Sequence, residues 1–248
     1  MKTCTLILFL AVAAFSLQAS ATVKSDLETA NKNGNSVFLV VTDPNVTGTD
    51  KALEMANQAK SGVSKSVVLQ MNRSDAANTE LVTKYRLAGA PLPLILVIAS
   101  NGIVSAGYAL AQATPELLVK AVPSPKKSEV LKSLSDGKSV FIVVTGKSMA
   151  EKNTIMNTCQ QACVEMENNA KMIEISLDDP KENQFLTELK VDLTAKEPST
   201  YVINSQGQVT GTFTDDVSTT TLVASAKKVA ASGCCPPGSG KSCDPAKK

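Results

Sequence analysis

Two stretches of the chain carry the same apolar run. Gly34 to Thr42 reads GNSVFLVVT and Gly137 to Thr145 reads GKSVFIVVT, with seven of nine positions identical. An unbroken run of β-branched and aromatic residues behind a glycine predicts a strand buried on both faces, as in a parallel sheet. The copies stand about a hundred residues apart, too far for a solenoid repeat, so they read as two copies of one domain.

The flanking patterns repeat as well. Ser25-x-x-Glu28 is a capping box that predicts a helix over Ser25–Asn33, and the second copy places one over Ser128–Asp136. After each buried strand comes a polar loop, then apolar residues at helical spacing: Leu53, Ala56 and Ala59, and later Ile155, Met156, Cys159, Cys163 and Met166. Second strands are predicted at Val67–Met71 and Met172–Leu177, and further helices at Asn78–Arg86 and Glu182–Lys190. Each copy then shows a hairpin behind a proline. Pro93 leads into LILVIA with a turn at Asn101-Gly102, and Pro198 leads into STYVI with a turn at Gln206-Gly207. Asn-Gly favours a two-residue turn in which both φ angles are positive. Closing helices start behind Thr114-Pro115 and run from Thr219 to Ser232, stopped by Gly233.

The order per copy is α-β-α-β-α-β-β-α, an α/β arrangement with a mixed four-stranded sheet flanked by helices. With its proline-led hairpin, each copy resembles a thioredoxin-like domain, over residues 24–122 and 128–232, joined by a stiff Pro-Ser-Pro linker at 123–127. The resemblance implies that Pro93 and Pro198 are cis prolines whose corners present backbone groups to an extended peptide. It also implies a C-x-x-C pair after the first core strand, where a helix N-terminus lowers the thiol pKa. The loops there read TDPNVTGTD and TGKSMAEK and hold no cysteine. The family's dithiol exchange is therefore not expected of either copy, and the chain is read as a binding protein rather than an enzyme.

Composition narrows the partners. With a net charge of +2, no His, no Trp and 4% aromatic residues, the chain offers neither a basic stripe nor stacking platforms for nucleic acid. A polypeptide or partner protein is the expected ligand. Met1-Lys2, the apolar stretch Leu6–Leu17 and Ala19-Ser20-Ala21 form a secretory signal-peptide pattern over residues 1–21, with cleavage expected after Ala21. A secreted or periplasmic protein follows, and the apolar stretch is too short for a permanent membrane span.

Five cysteines lie beyond that segment. Cys159 and Cys163 share one apolar helical face, which suits either two small buried hydrophobes or a functional dithiol. An intrahelical disulfide there would be strained. The tail, residues 233–248, reads GCCPPGSGKSCDPAKK and is too rich in Pro, Gly, Ser and Lys to build a core. Its Cys234, Cys235 and Cys243 admit three readings: a disulfide from Cys243 to one of the vicinal pair, a mobile redox dithiol, or a thiolate set for Cu(I) or Zn(II). No other cofactor is implied. Asp178-Asp179 and Asp215-Asp216 read as solvated turn residues rather than an acid–base dyad, because adjacent side chains point apart.

Overall fold

The computed structural model describes residues 22–214 and 216–229. Unit 1 runs α1 (Val23–Lys32), β1 (Ser36–Thr42), α2 (Thr49–Ser61), β2 (Ser66–Asn72), α3 (Thr79–Lys84), β3 (Leu94–Ile98), β4 (Val104–Ala109) and α4 (Pro115–Ala121). Unit 2 repeats the order with α5 (Pro125–Ser135), β5 (Ser139–Thr145), α6 (Lys152–Glu165), β6 (Ala170–Ser176), α7 (Asn183–Glu188), β7 (Ser199–Ile203), β8 (Val209–Phe213) and α8 (Thr219–Lys227). A 3-10 turn leads into α3 (Ala76–Asn78) and another into α7 (Pro180–Glu182).

Each unit holds one four-stranded mixed sheet, ordered β2-β1-β3-β4 and β6-β5-β7-β8. The repeated apolar run is the central strand, parallel to its first neighbour and antiparallel to its second. Its continuous hydrophobicity follows from covering on both faces. In β1, Val37, Leu39 and Val41 pack toward Leu27 and Leu81, while Phe38 and Val40 pack toward Ala52, Ala56 and Leu118. In β5, Val140, Ile142 and Val144 meet Val130 and Leu186, and Phe141 and Val143 meet Ile155, Cys159 and Leu222.

Helix starts differ from the capping-box reading. Thr22, not Ser25, caps α1: its side chain accepts from the Ser25 N–H at 3.3 Å. The earlier start lets Val23 pack on the core. Likewise α5 begins inside the segment expected as a linker. Ser124 caps it, accepting from Lys127 N at 3.2 Å, and Pro125 takes the first helical position, where its fixed φ fits and no N–H is needed. Helix α8 stops at Lys227 rather than Ser232, because Asn204 Nδ2 donates to Lys228 O at 2.9 Å and draws the chain to the hairpin.

The hairpin turns also differ. Gly102 alone has positive φ (+81°) in its turn, and its N–H bonds Ala99 O at 2.9 Å, so Ser100 and Asn101 are the central residues. Asn101 keeps negative φ, and its Nδ2 donates to Ser128 O on α5 at 2.7 Å. Gly207 (φ +80°) closes the second turn onto Asn204 O in the same way. That Asn101 bond and a second, from Gln184 Nε2 to Lys120 O at 3.1 Å, tie the units together. Among the described residues no helix is long and apolar enough to cross a membrane. The signal-peptide pattern and the tail beyond Val229 lie outside the described residues.

Candidate functional site

In unit 1, the first core strand delivers the chain into the loop between β1 and α2. The loop turns at Pro44-Asn45, with Val46 N bonded to Asp43 O at 3.1 Å, and reaches Gly48 at φ +88° before α2 begins. Its two ends are fastened by Thr42 Oγ1 and Thr49 Oγ1, 2.6 Å apart. Position 48 favours glycine, because its φ is positive. A Cβ there would lie 2.7 Å from Leu110 Cδ2 and 3.9 Å from Pro93 Cγ. The Leu92–Pro93 bond is cis, and Pro93 O accepts from Leu110 N at 3.0 Å. Gly48 therefore exposes bare backbone beside a buried cis proline, with Leu92 and Leu110 half-buried around it.

A charged cross-brace backs this corner. Arg73 donates through Nε and Nη2 to Asp43 Oδ2 at 3.1 and 2.6 Å, and through Nη1 to Leu87 O and Ala90 O at 3.2 and 2.9 Å. Ser74 Oγ donates to Asp43 Oδ1 at 2.8 Å. The Ser74 hydroxyl, and after it the Arg73 guanidinium, hold the Asp43 carboxyl below the usual carboxylate range. An open cleft of about 650 Å³ runs from Asp43 and Gly48 to Gln70 and Asn72 on β2.

Unit 2 is built differently at the same place. Arg73 N bonds Thr42 O, and Leu177 N bonds Thr145 O in the equivalent position, each at 2.8 Å. Leu177 thus stands where unit 1 has Arg73, and Gly146 where it has Asp43. The expected cis bond at Pro198 is not present: the peptide before Pro198 is trans. Two features favour the ordinary trans form, which X–Pro bonds prefer by about 0.5–1 kcal/mol. The connection from the preceding helix is one residue longer in unit 2 (Leu189–Pro198 against Tyr85–Pro93), and Glu197 is exposed where Leu92 packs on the core.

The two described cysteines are free and buried. They occupy the α6 positions matching Ala56 and Lys60 of α2, and they pack with Phe141 and Leu222. Burial pushes the Cys159 thiol up to about 12, and Thr200 Oγ1 lies 4.0 Å away; burial raises Cys163 as well. A thiol held neutral is neither nucleophile nor metal ligand at ordinary pH. Cys234, Cys235 and Cys243 lie outside the described residues. Among the described residues no cluster of three metal-type ligands forms. Asp178 accepts from Lys147 N at 2.8 Å and Asp179 caps the 3-10 turn through Lys181 N at 3.0 Å, so both are loop-fastening groups. Asp215 lies outside the described residues.

Sequence reasoning missed Gly48, Asp43 and Arg73. Their signal was present as a difference between copies: at equivalent strand ends one copy has Asp and Arg, the other Gly and Leu.

No protein-family model and no curated protein matches this sequence. Solved structures with similarity are the first two thioredoxin domains of Saccharomyces cerevisiae Eps1p (10% identity, 84% of this chain and 96% of that chain, TM-score 0.32). Those of Naumovozyma dairenensis Eps1p align at 12% identity over 82% of this chain and 95% of that one, TM-score 0.31. Human ERp44 aligns at 8% identity over 83% of this chain and 55% of that one, TM-score 0.36. At these scores the fold assignment rests on strand order and connection, repeated in both sheets. Each unit has a thioredoxin-like fold.

Proposed function

We propose that this protein is an exported, non-catalytic binding protein in which the unit 1 corner holds an extended segment of a polypeptide or partner protein. The observation that carries the reading is the corner itself: exposed Gly48, with no side chain to cover it, lies beside buried Pro93, and among the described residues no cysteine stands there. Backbone groups at such a corner pair with an extended chain as an added strand does. The signal-peptide pattern of residues 1–21 supports export. The test is fluorescence anisotropy of a dye-labelled, alkylated insulin B chain, a peptide without stable structure, titrated with the full chain from Thr22 onward. Saturable binding that is insensitive to reductant is expected. Thr47→Trp places a bulky ring at an exposed corner position and should weaken it on the order of tenfold. Absence of binding, or binding abolished by reductant, would contradict the reading.

A second reading has one observation in its favour. Burial of Cys159 and Cys163 leaves thiol chemistry of the exported chain to Cys234, Cys235 and Cys243. Those three form a disulfide through Cys243, act as a mobile redox dithiol, or present thiolates to Cu(I) or Zn(II). Titration of either ion against the reduced chain and a variant with all three changed to Ser distinguishes them; equal affinity removes the metal reading.

A further inference from the structure

We infer that Arg73 is the positioning residue of the unit 1 corner, and that its four-point brace makes unit 1, rather than unit 2, the unit that receives an extended chain. The inference rests on the binding reading above. The corner has two walls: the loop after β1, from Asp43 to Gly48, and the segment before β3, from Leu87 to Pro93. Neither wall is regular structure, and a binding edge loses affinity when its walls must be ordered on contact. Arg73 grips both at once. Its Nε and Nη2 hold Asp43 while Nη1 holds Leu87 O and Ala90 O, in the planar fork that a guanidinium fixes and an ammonium does not. The pair is mostly shielded, with side-chain exposures of 22% and 18%, so solvent screens it less than a surface pair.

Unit 2 fastens each wall separately. Its first loop is pinned to the end of β6 by the Lys147 N–Asp178 bond. Its second wall closes on itself, with Thr194 N and Oγ1 bonded to Asp192 Oδ1 at 2.8 and 2.7 Å and Ala195 N bonded to Asp192 O at 3.1 Å. Leu177 turns into the core instead of bridging them.

The experiment compares the full chain with Arg73→Leu, Arg73→Lys and Asp43→Asn, reading insulin B chain affinity, amide hydrogen exchange at Val46 and Ala90, whose N–H groups bond Asp43 O and Leu87 O, and the urea midpoint. Arg73→Leu and Arg73→Lys should each weaken binding on the order of tenfold and speed exchange at Val46 and Ala90. Because lysine keeps the charge, a loss with Arg73→Lys at an unchanged urea midpoint separates positioning from bulk stability. Should an Arg73 variant fail to fold, Asp43→Asn, which keeps the carbonyl bonds, carries the same expectation. Wild-type binding with variants within twofold of it would overturn this inference alone. No binding by the wild type would overturn the inference and the reading together.

Discussion

Glu182 is the perturbation that most sharply tests how the segment between the two units is held. It is a carboxylate 1% exposed, on the 3-10 turn before α7, and it caps the start of α5. Its Oε1 accepts from Lys126 N at 3.0 Å, and its Oε2 accepts from Ser124 Oγ. Pro125 has no N–H to satisfy, Lys127 N is held by Ser124 Oγ and Ser128 N by Ser124 O, so Glu182 completes the first turn of the helix. Each bond to a charged acceptor contributes roughly 1.5–3 kcal/mol. Relief from burying the carboxylate offsets part of that. Glu182→Ala, which also strands Lys126 N, should therefore cost about 2–4 kcal/mol. Glu182→Gln keeps one acceptor and should cost about half as much. The assay is urea unfolding by linear extrapolation, together with limited proteolysis. The wild type should resist cleavage across residues 122–128, although the sequence there reads as a linker, and the Ala variant should be cut there first. A Glu182→Ala stability within about 0.5 kcal/mol of wild type, with no new cleavage, would refute the capping account.

In a chain whose tail cysteines are changed to Ser, Cys159 and Cys163 should resist thiol reagents at pH 8 when folded and react fully in denaturant; native-state labelling would contradict their burial. The raised Cys159 pKa gives a pH dependence with a defined sign. Its stabilising contribution is fully present below the unfolded thiol value of 9.0 and is lost as pH rises toward about 12. Cys159→Ala, which installs the unit 1 residue, should flatten that alkaline slope; an unchanged slope would assign it to other groups. Gly48→Ala should cost about 1–3 kcal/mol, because it combines positive φ with a Cβ 2.7 Å from Leu110 Cδ2, and thermal unfolding reads the difference.

The architecture was legible because the signals that specify it are local or repeated. The VFLVV and VFIVV runs could only be strands covered on both faces, and the order of elements around them follows from apolar spacing and turn residues. Boundaries were less legible where two caps competed. Ser25 fits a capping box and Ser128 opens the matching segment of the second copy, yet Thr22 and Ser124 win, the second because Pro125 and a carboxylate distant in sequence, Glu182, favour the earlier start. The site was legible only as a missing C-x-x-C and a proline. What braces the unit 1 corner and not the unit 2 corner lies in long-range partners. Asp43 and Arg73 are thirty positions apart, and their ion pair and the Arg73 bonds to Leu87 O and Ala90 O form only once β1, β2 and β3 are side by side.

The most direct test of the central claim is an amide spectrum of the full chain from Thr22 onward, labelled with nitrogen-15, recorded as unlabelled, alkylated insulin B chain is added. The account predicts progressive, saturable shifts at Val46, Gly48, Leu92 and Leu110 around the unit 1 corner, with Lys147 and Glu197 of unit 2 unmoved. Shifts centred on Lys147 and Glu197, or no shift at Gly48 while the peptide binds, would contradict it.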